Sequence, residues 1–279
     1  MSTAPTTEFT PELAANVYGA VRRISALPDV RAAVEANHDE NRWWPTTVAD
    51  PRMRMAVAGW STRVSYAMVD TYARVVNHAD ALGFEKLAGS PDADLARLVR
   101  PLGLVTARIG YLRSLSMFLE DLAAEGLDPL GCDADALIGR FASKVAHASY
   151  KVAQCAVLYS RGYHCGIIPV DSGMVTKLAP ALGIHLPSGS VAHEHMRALL
   201  QTCLRDRVSD YRRLVGDHGY AVTVPAAAVP SWWLHLVLIY FKRLYLNRAG
   251  PRLCRRRPLC GQIIDCGHGE VSLLAHARG

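Results

Sequence analysis

The pattern that most constrains this chain is helical. From Ala107 to Ala124, Ile109, Leu112, Leu115, Phe118, Leu119 and Leu122 recur at the spacing that sets them on one side of an α-helix. The same spacing joins Leu13, Val17, Ala20, Val21 and Ile24. It also joins Met55, Ala58, Val64, Met68, Tyr72 and Val75, with Gly59 as a weak spot. Ser90-Pro91 is a good entry to a helix starting at Asp92. Further helices are predicted over Asp133–Ala146, Tyr150–Arg161, Ser172–Leu182, Val191–Val215 and Ser231–Asn247. No stretch alternates with period two beyond the short fragment Val222-Thr-Val224. The expected class is therefore all-α.

The bulk properties narrow the setting. A length of 279 residues suffices for one large domain or two modest ones with real cores. The start, Met1-Ser-Thr-Ala-Pro-Thr-Thr7, lacks a basic segment followed by an apolar run, so no secretory signal is expected. The longest apolar stretch, Trp232 to Phe241, is interrupted by His235 and is too short to span a bilayer. Seven cysteines in such a chain point to free thiols in a reducing cytoplasm. The net charge of +6 is local: Lys242, Arg243, Arg248, Arg252, Arg255, Arg256 and Arg257 form a run with no acidic residue among them. Such a run suits phosphate, and the other readings of it are a solvated basic face or a contact with acidic lipid.

Two residues carry candidate chemistry. Lys151 stands in Val145-Ala-His-Ala-Ser-Tyr-Lys-Val-Ala-Gln-Cys-Ala-Val-Leu158, and Asp171 in Ile168-Pro-Val-Asp-Ser-Gly-Met174. An amine nucleophile and a carboxylate brought to one cleft can work on a single sugar carbon. The plain readings are a solvated lysine and an aspartate that caps the next helix.

The order and spacing of four segments resemble the helix-hairpin-helix DNA glycosylases of the endonuclease III type. They are Asp50–Val64, Leu98–Leu112, Val145–Leu158 and Pro169–Leu178; a fifth, Cys254-Arg-Arg-Arg-Pro-Leu-Cys260, is a weaker match to the start of that family's iron–sulfur loop. The resemblance implies a two-domain helical fold: a six-helix barrel over 41–162, and a second domain from 1–40 with 163–279. It also implies a pocket in the cleft between them, with Lys151 and Asp171 as catalytic residues. The partner implied is double-stranded DNA with a damaged or modified base, with no membrane and no obligatory protein partner. Lys151 would attack the anomeric carbon and permit strand scission, and Asp171 would stabilise positive charge on the sugar. His147, Ser149, Trp60 and Thr62 fall at nucleic-acid-facing positions, and Arg255, Arg256 and Arg257 suit backbone phosphates.

The chain departs from the family pattern in three places. His147-Ala-Ser149 replaces the Gly-x-Gly that lets backbone N–H groups approach a phosphate. Trp60 replaces a glutamine that fills the gap left by a flipped base, and either stacks on a base or packs in the core. The family's C-x6-C-x2-C-x5-C loop is here C-x5-C-x5-C at Cys254, Cys260 and Cys266, with Ile263 in place of the third ligand. These three thiols with His268 are the candidate set for zinc or an iron–sulfur cluster. Two other functions stay open: a repurposed fold acting on a nucleoside or specialised metabolite, and a DNA-binding protein without catalysis. Because the loop lacks the thiolate at Ile263, protein purified without oxygen is expected to lack the broad absorption near ~400 nm of thiolate-ligated iron–sulfur centres. Brown protein with about four irons per chain would overturn this and implicate a non-cysteine ligand, His268 being nearest.

Overall fold

The computed structural model describes residues 6–39 and 47–247. The chain divides into two compact units, Met1–Asp39 with His164–Gly279, and Glu40–Tyr163. The described residues contain helices and loops and no strand; Val222–Val224 lies in a loop whose Thr223 N–H donates to the Asp39 carboxylate at 3.1–3.2 Å.

The unit formed by the central stretch of sequence holds α3 (Pro51–Trp60), α4 (Val69–Leu82), α5 (Phe84–Gly89), α6 (Asp92–Val99), α7 (Val105–Ala124), α8 (Ala134–Lys144) and α9 (Tyr150–Arg161). Their starts follow from local sequence. Asp50 accepts the Arg52 N–H at 2.8 Å ahead of Pro51, and Asp133 accepts that of Ala136 at 2.8 Å. The organising helix is α9. Every residue from Val152 to Ser160 is buried, and α3 and α8 pack on it, α3 more extensively.

The weak spot at Gly59 has a steric reason. Tyr111 of α7 crosses α3 there with its hydroxyl donating to the Met55 carbonyl at 2.7 Å, and a Cβ on Gly59 would lie only 2.2–2.5 Å from atoms of the tyrosine ring. Beside it, buried Arg108 ties the end of α3 to the turn before α7. Its guanidinium donates to the carbonyls of Trp60, Thr62 (3.0 Å), Leu102 (3.0 Å) and Gly103 (2.8 Å), and burial lowers its pKa. These bonds satisfy carbonyls that the helix end leaves without partners.

The loop 145–149 joins α8 to α9. His147 sits at φ 61°, the left-handed region that favours glycine. Ser149 then caps α9, its hydroxyl accepting the Val152 N–H at 3.4 Å. The hairpin backbone is thus built with a histidine where the family pattern has glycine.

The other unit holds α1 (Pro11–Ser25), α2 (Pro28–His38), α10 (Ala179–Ala181), α11 (Val191–Asp206), α12 (Val208–Asp217) and α13 (Ser231–Phe241). All eleven residues of α13 are buried, and α1 and α2 pack on it. The single helix expected over Val191–Val215 is broken at Arg207 (φ −134°, ψ 35°), which pairs with Asp210 and lies over the Tyr18 ring. Residues 172–181 are helical with a π-wound centre, Met174–Leu178, because Pro180 has no N–H to give the Thr176 carbonyl. A second π-wound segment, Lys242–Leu246, continues α13.

Gly59→Ala should destabilise the protein by about 1–3 kcal/mol through overpacking, although alanine is about 1 kcal/mol the better helix former. Urea unfolding measures it, and a stabilised variant would contradict the ring contact. At the hairpin, His147→Gly should stay within about 1 kcal/mol of wild type, whereas β-branched His147→Val should lose about 1–2 kcal/mol. Equal stability of the two variants would show that the left-handed turn is not required.

Candidate active site

The helix α9 presents Lys151 in its first turn, directly after the Ser149 cap. The lysine is half-buried, and its ammonium lies 3.1 Å from the Cys155 Sγ one turn further on. Cys155 is buried, and around it burial holds the phenols of Tyr72, Tyr111 and Tyr159 well above their usual range. The lysine therefore leans on the buried thiol of its own helix.

Asp171 closes the extended segment that leads from buried Ile167 and Ile168 through Val170 into the π-wound helix. Its Oδ1 accepts the Met174 N–H at 2.7 Å, and its backbone carbonyl accepts those of Met174 (3.0 Å) and Val175 (3.1 Å). Its Oδ2 accepts a short charge-assisted hydrogen bond from Lys242 Nζ. The Asp171 side chain is 27% exposed and that of Lys242 only 4%. The aspartate is both a cap and half of an ion pair.

Lys242 is the residue that sequence reasoning misses. Its position at the head of a basic run groups it with solvated, phosphate-facing cations, and the structure corrects this: Lys242 is buried and belongs to Asp171. One local signal was legible, since Lys242 directly follows an apolar helix. The other signal, Gly173, becomes meaningful only in three dimensions. A Cβ there would lie 3.0 Å from both Cδ and Nζ of Lys242 and 3.3 Å from Cε, so the lysine stem runs close against this backbone.

Lys151 and Asp171 belong to different units, and the remaining expected residues have the following places. Trp60 is a correction: it is fully buried, its indole N–H donates to the Arg108 carbonyl at 3.3 Å, and it packs in the core rather than standing ready for a base. Thr62 is half-buried, with its carbonyl in the Arg108 clamp. His147 and Ser149 are exposed on the hairpin, Ser149 engaged as the cap of α9. Arg255, Arg256, Arg257, Cys254, Cys260, Cys266 and His268 lie outside the described residues. Among the described residues, no group of three or more His, Cys, Asp or Glu side chains is placed to hold a metal ion, and no helix is long and apolar enough to cross a membrane.

No protein-family model matches the sequence, and no curated protein matches it either. Solved structures do. The H. pylori 3-methyladenine DNA glycosylase MagIII, bound to 1,N6-ethenoadenine, superimposes with a TM-score of 0.53 at 14% identity, over 82% of this chain and 97% of that one. A thermostable thymine-DNA glycosylase gives a TM-score of 0.55 at 11% identity, over 88% of this chain and 96% of that one. The chain therefore shares the all-helical fold of these two DNA glycosylases.

Proposed function

We propose that the chain is a DNA glycosylase of base-excision repair, breaking an N-glycosidic bond in double-stranded DNA that carries a damaged or modified base. The observation that carries this reading is Asp171. Asp171, the aspartate of the segment that resembles the family's motif, has one oxygen on a helix N–H and the other on a buried ammonium, while remaining partly exposed. A carboxylate fixed in this way is preorganised to face positive charge.

Each residue then has a role that its chemistry allows. The target base leaves the stack to be reached. As the glycosidic bond lengthens, the sugar gains cationic character, and Asp171 stabilises it. The Lys151 nitrogen, seated against the Cys155 thiol, forms a bond to the anomeric carbon as the bond to the base breaks, and the sugar ring then opens with its oxygen taking the proton that the nitrogen gives up. The covalent Schiff base so formed permits strand scission. The turn at His147 and the first N–H groups of α9 face a backbone phosphate, and Arg255, Arg256 and Arg257 add phosphate contacts that carry no base specificity.

The test is excision and trapping on duplexes that carry alkylated, oxidised or mismatched bases or an abasic site. Asp171→Asn should slow base release by about 100-fold or more. Lys151→Ala should abolish borohydride trapping to abasic DNA while leaving the thermal unfolding of the protein unchanged. Wild-type release and trapping by both variants would remove these residues from the site.

A further inference from the structure

We propose that Lys242 is a positioning residue for Asp171. The inference rests on the glycosylase reading for its consequence and on the ion pair for its geometry.

Four observations converge. Lys242 is buried while its partner is partly open, so a ligand can reach the aspartate and not the lysine. The lysine therefore acts through Asp171. The two bonds to the carboxylate occupy different oxygens, Met174 N–H on Oδ1 and Lys242 Nζ on Oδ2, which fixes both the rotation of the group and its place. The backbone of Lys242 is itself anchored. It follows the fully buried α13 and opens a π-wound turn in which its carbonyl accepts the Asn247 N–H at 2.8 Å. That turn packs against the π-wound turn Met174–Leu178 that Asp171 leads into, and the exposed pair Lys177 Nζ and Asn247 Oδ1, 3.4 Å apart, also links them. Finally, the route of the lysine passes Gly173, where a Cβ would press on Cδ, Cε and Nζ.

Wound turns of this kind recur at functional sites, because the extra residue redirects a side chain that a regular helix would place elsewhere. A buried ion pair is poor evidence for stability, since replacing it with apolar packing is often neutral. Here it holds a carboxylate that the proposed reaction uses. Displacement of a reacting group by about 1 Å can cost roughly 100-fold in rate.

The experiment is a double-mutant cycle in the full chain with Lys242→Met, Asp171→Asn and the pair. Methionine keeps the length of the lysine stem and removes the charge. Single-turnover base release, affinity for the same lesion duplex and urea unfolding are measured for all four proteins. Lys242→Met alone should slow release by about 100-fold with lesion-duplex affinity unchanged. In the Asp171→Asn background the same substitution should change the rate less than about threefold, because its target is gone. Losses that multiply, or a Lys242→Met rate equal to wild type, would overturn the proposal. If the wild-type chain releases no base from any duplex, the glycosylase reading fails, and the unfolding cycle decides the pairing alone. A departure of about tenfold or more from the product of the single effects on the unfolding constant supports Lys242 as the holder of Asp171, and independent effects overturn it.

Discussion

Two helices without a polar face organise this chain, one in each unit. The residues of α9 from Val152 to Ser160 are all buried, as is the whole of α13. Each fully buried Leu, Ile or Phe on them contributes about 1.5–3 kcal/mol, so neither helix can shift without a large loss. Their ends are where an apolar rod first meets polar chemistry. Lys151 lies in the first turn of α9, and Lys242 is the first residue after α13. The two lysines that bear on the proposed chemistry are thus attached to thoroughly buried helices in their own units.

The ion pair at Asp171 shows how the sequence meets the expense of a buried ammonium. Removing such an ion from water costs several kcal/mol, and attraction offsets this only with good geometry and further hydrogen bonds. Asp171 supplies the opposite charge, and its second oxygen is satisfied by a helix N–H, so the carboxylate is not left with an empty acceptor. Two helices are locally unwound around it. Pro180 accounts for one of them by withholding an N–H. For the second, Lys242–Leu246, the sequence offers no comparable breaker.

What was legible in the sequence was mostly local. Asp50-Pro51, Ser90-Pro91 and Ser149 mark helix starts because capping is a matter of a few neighbouring residues. The all-α class followed from periodicity, and ordered short motifs singled out Lys151 and Asp171 as the residues proposed for the site. What was hidden depends on partners far along the chain. Lys242 is 71 positions from Asp171 and reads locally as one more cation in a basic run. Arg108 collects carbonyls from Trp60 and Thr62, some 46–48 positions away, and nothing in its own helix announces this. Gly59 read as a defect because the ring that fills its missing Cβ belongs to Tyr111. The break at Arg207 was invisible to periodicity, since α11 and α12 each keep an apolar face across it.

The departures from the family pattern acquire different weights once placed. Trp60, where the family pattern has a glutamine, is packed in the core, so that change bears on stability. At the hairpin the side chains changed while the backbone kept a conformation that glycine would favour, with His147 at φ 61°. A left-handed residue other than glycine costs about 1–2 kcal/mol, and a turn with no use for that conformation would relax out of it. Here the turn is held from both sides. The Ala146 N–H donates to Ser114 Oγ at 2.9 Å before it, and Ser149 caps α9 after it. The strained turn therefore sets where α9 begins, and with it the place of Lys151, whose position depends on the hairpin's dihedral angles rather than on the identity of the residue that adopts them.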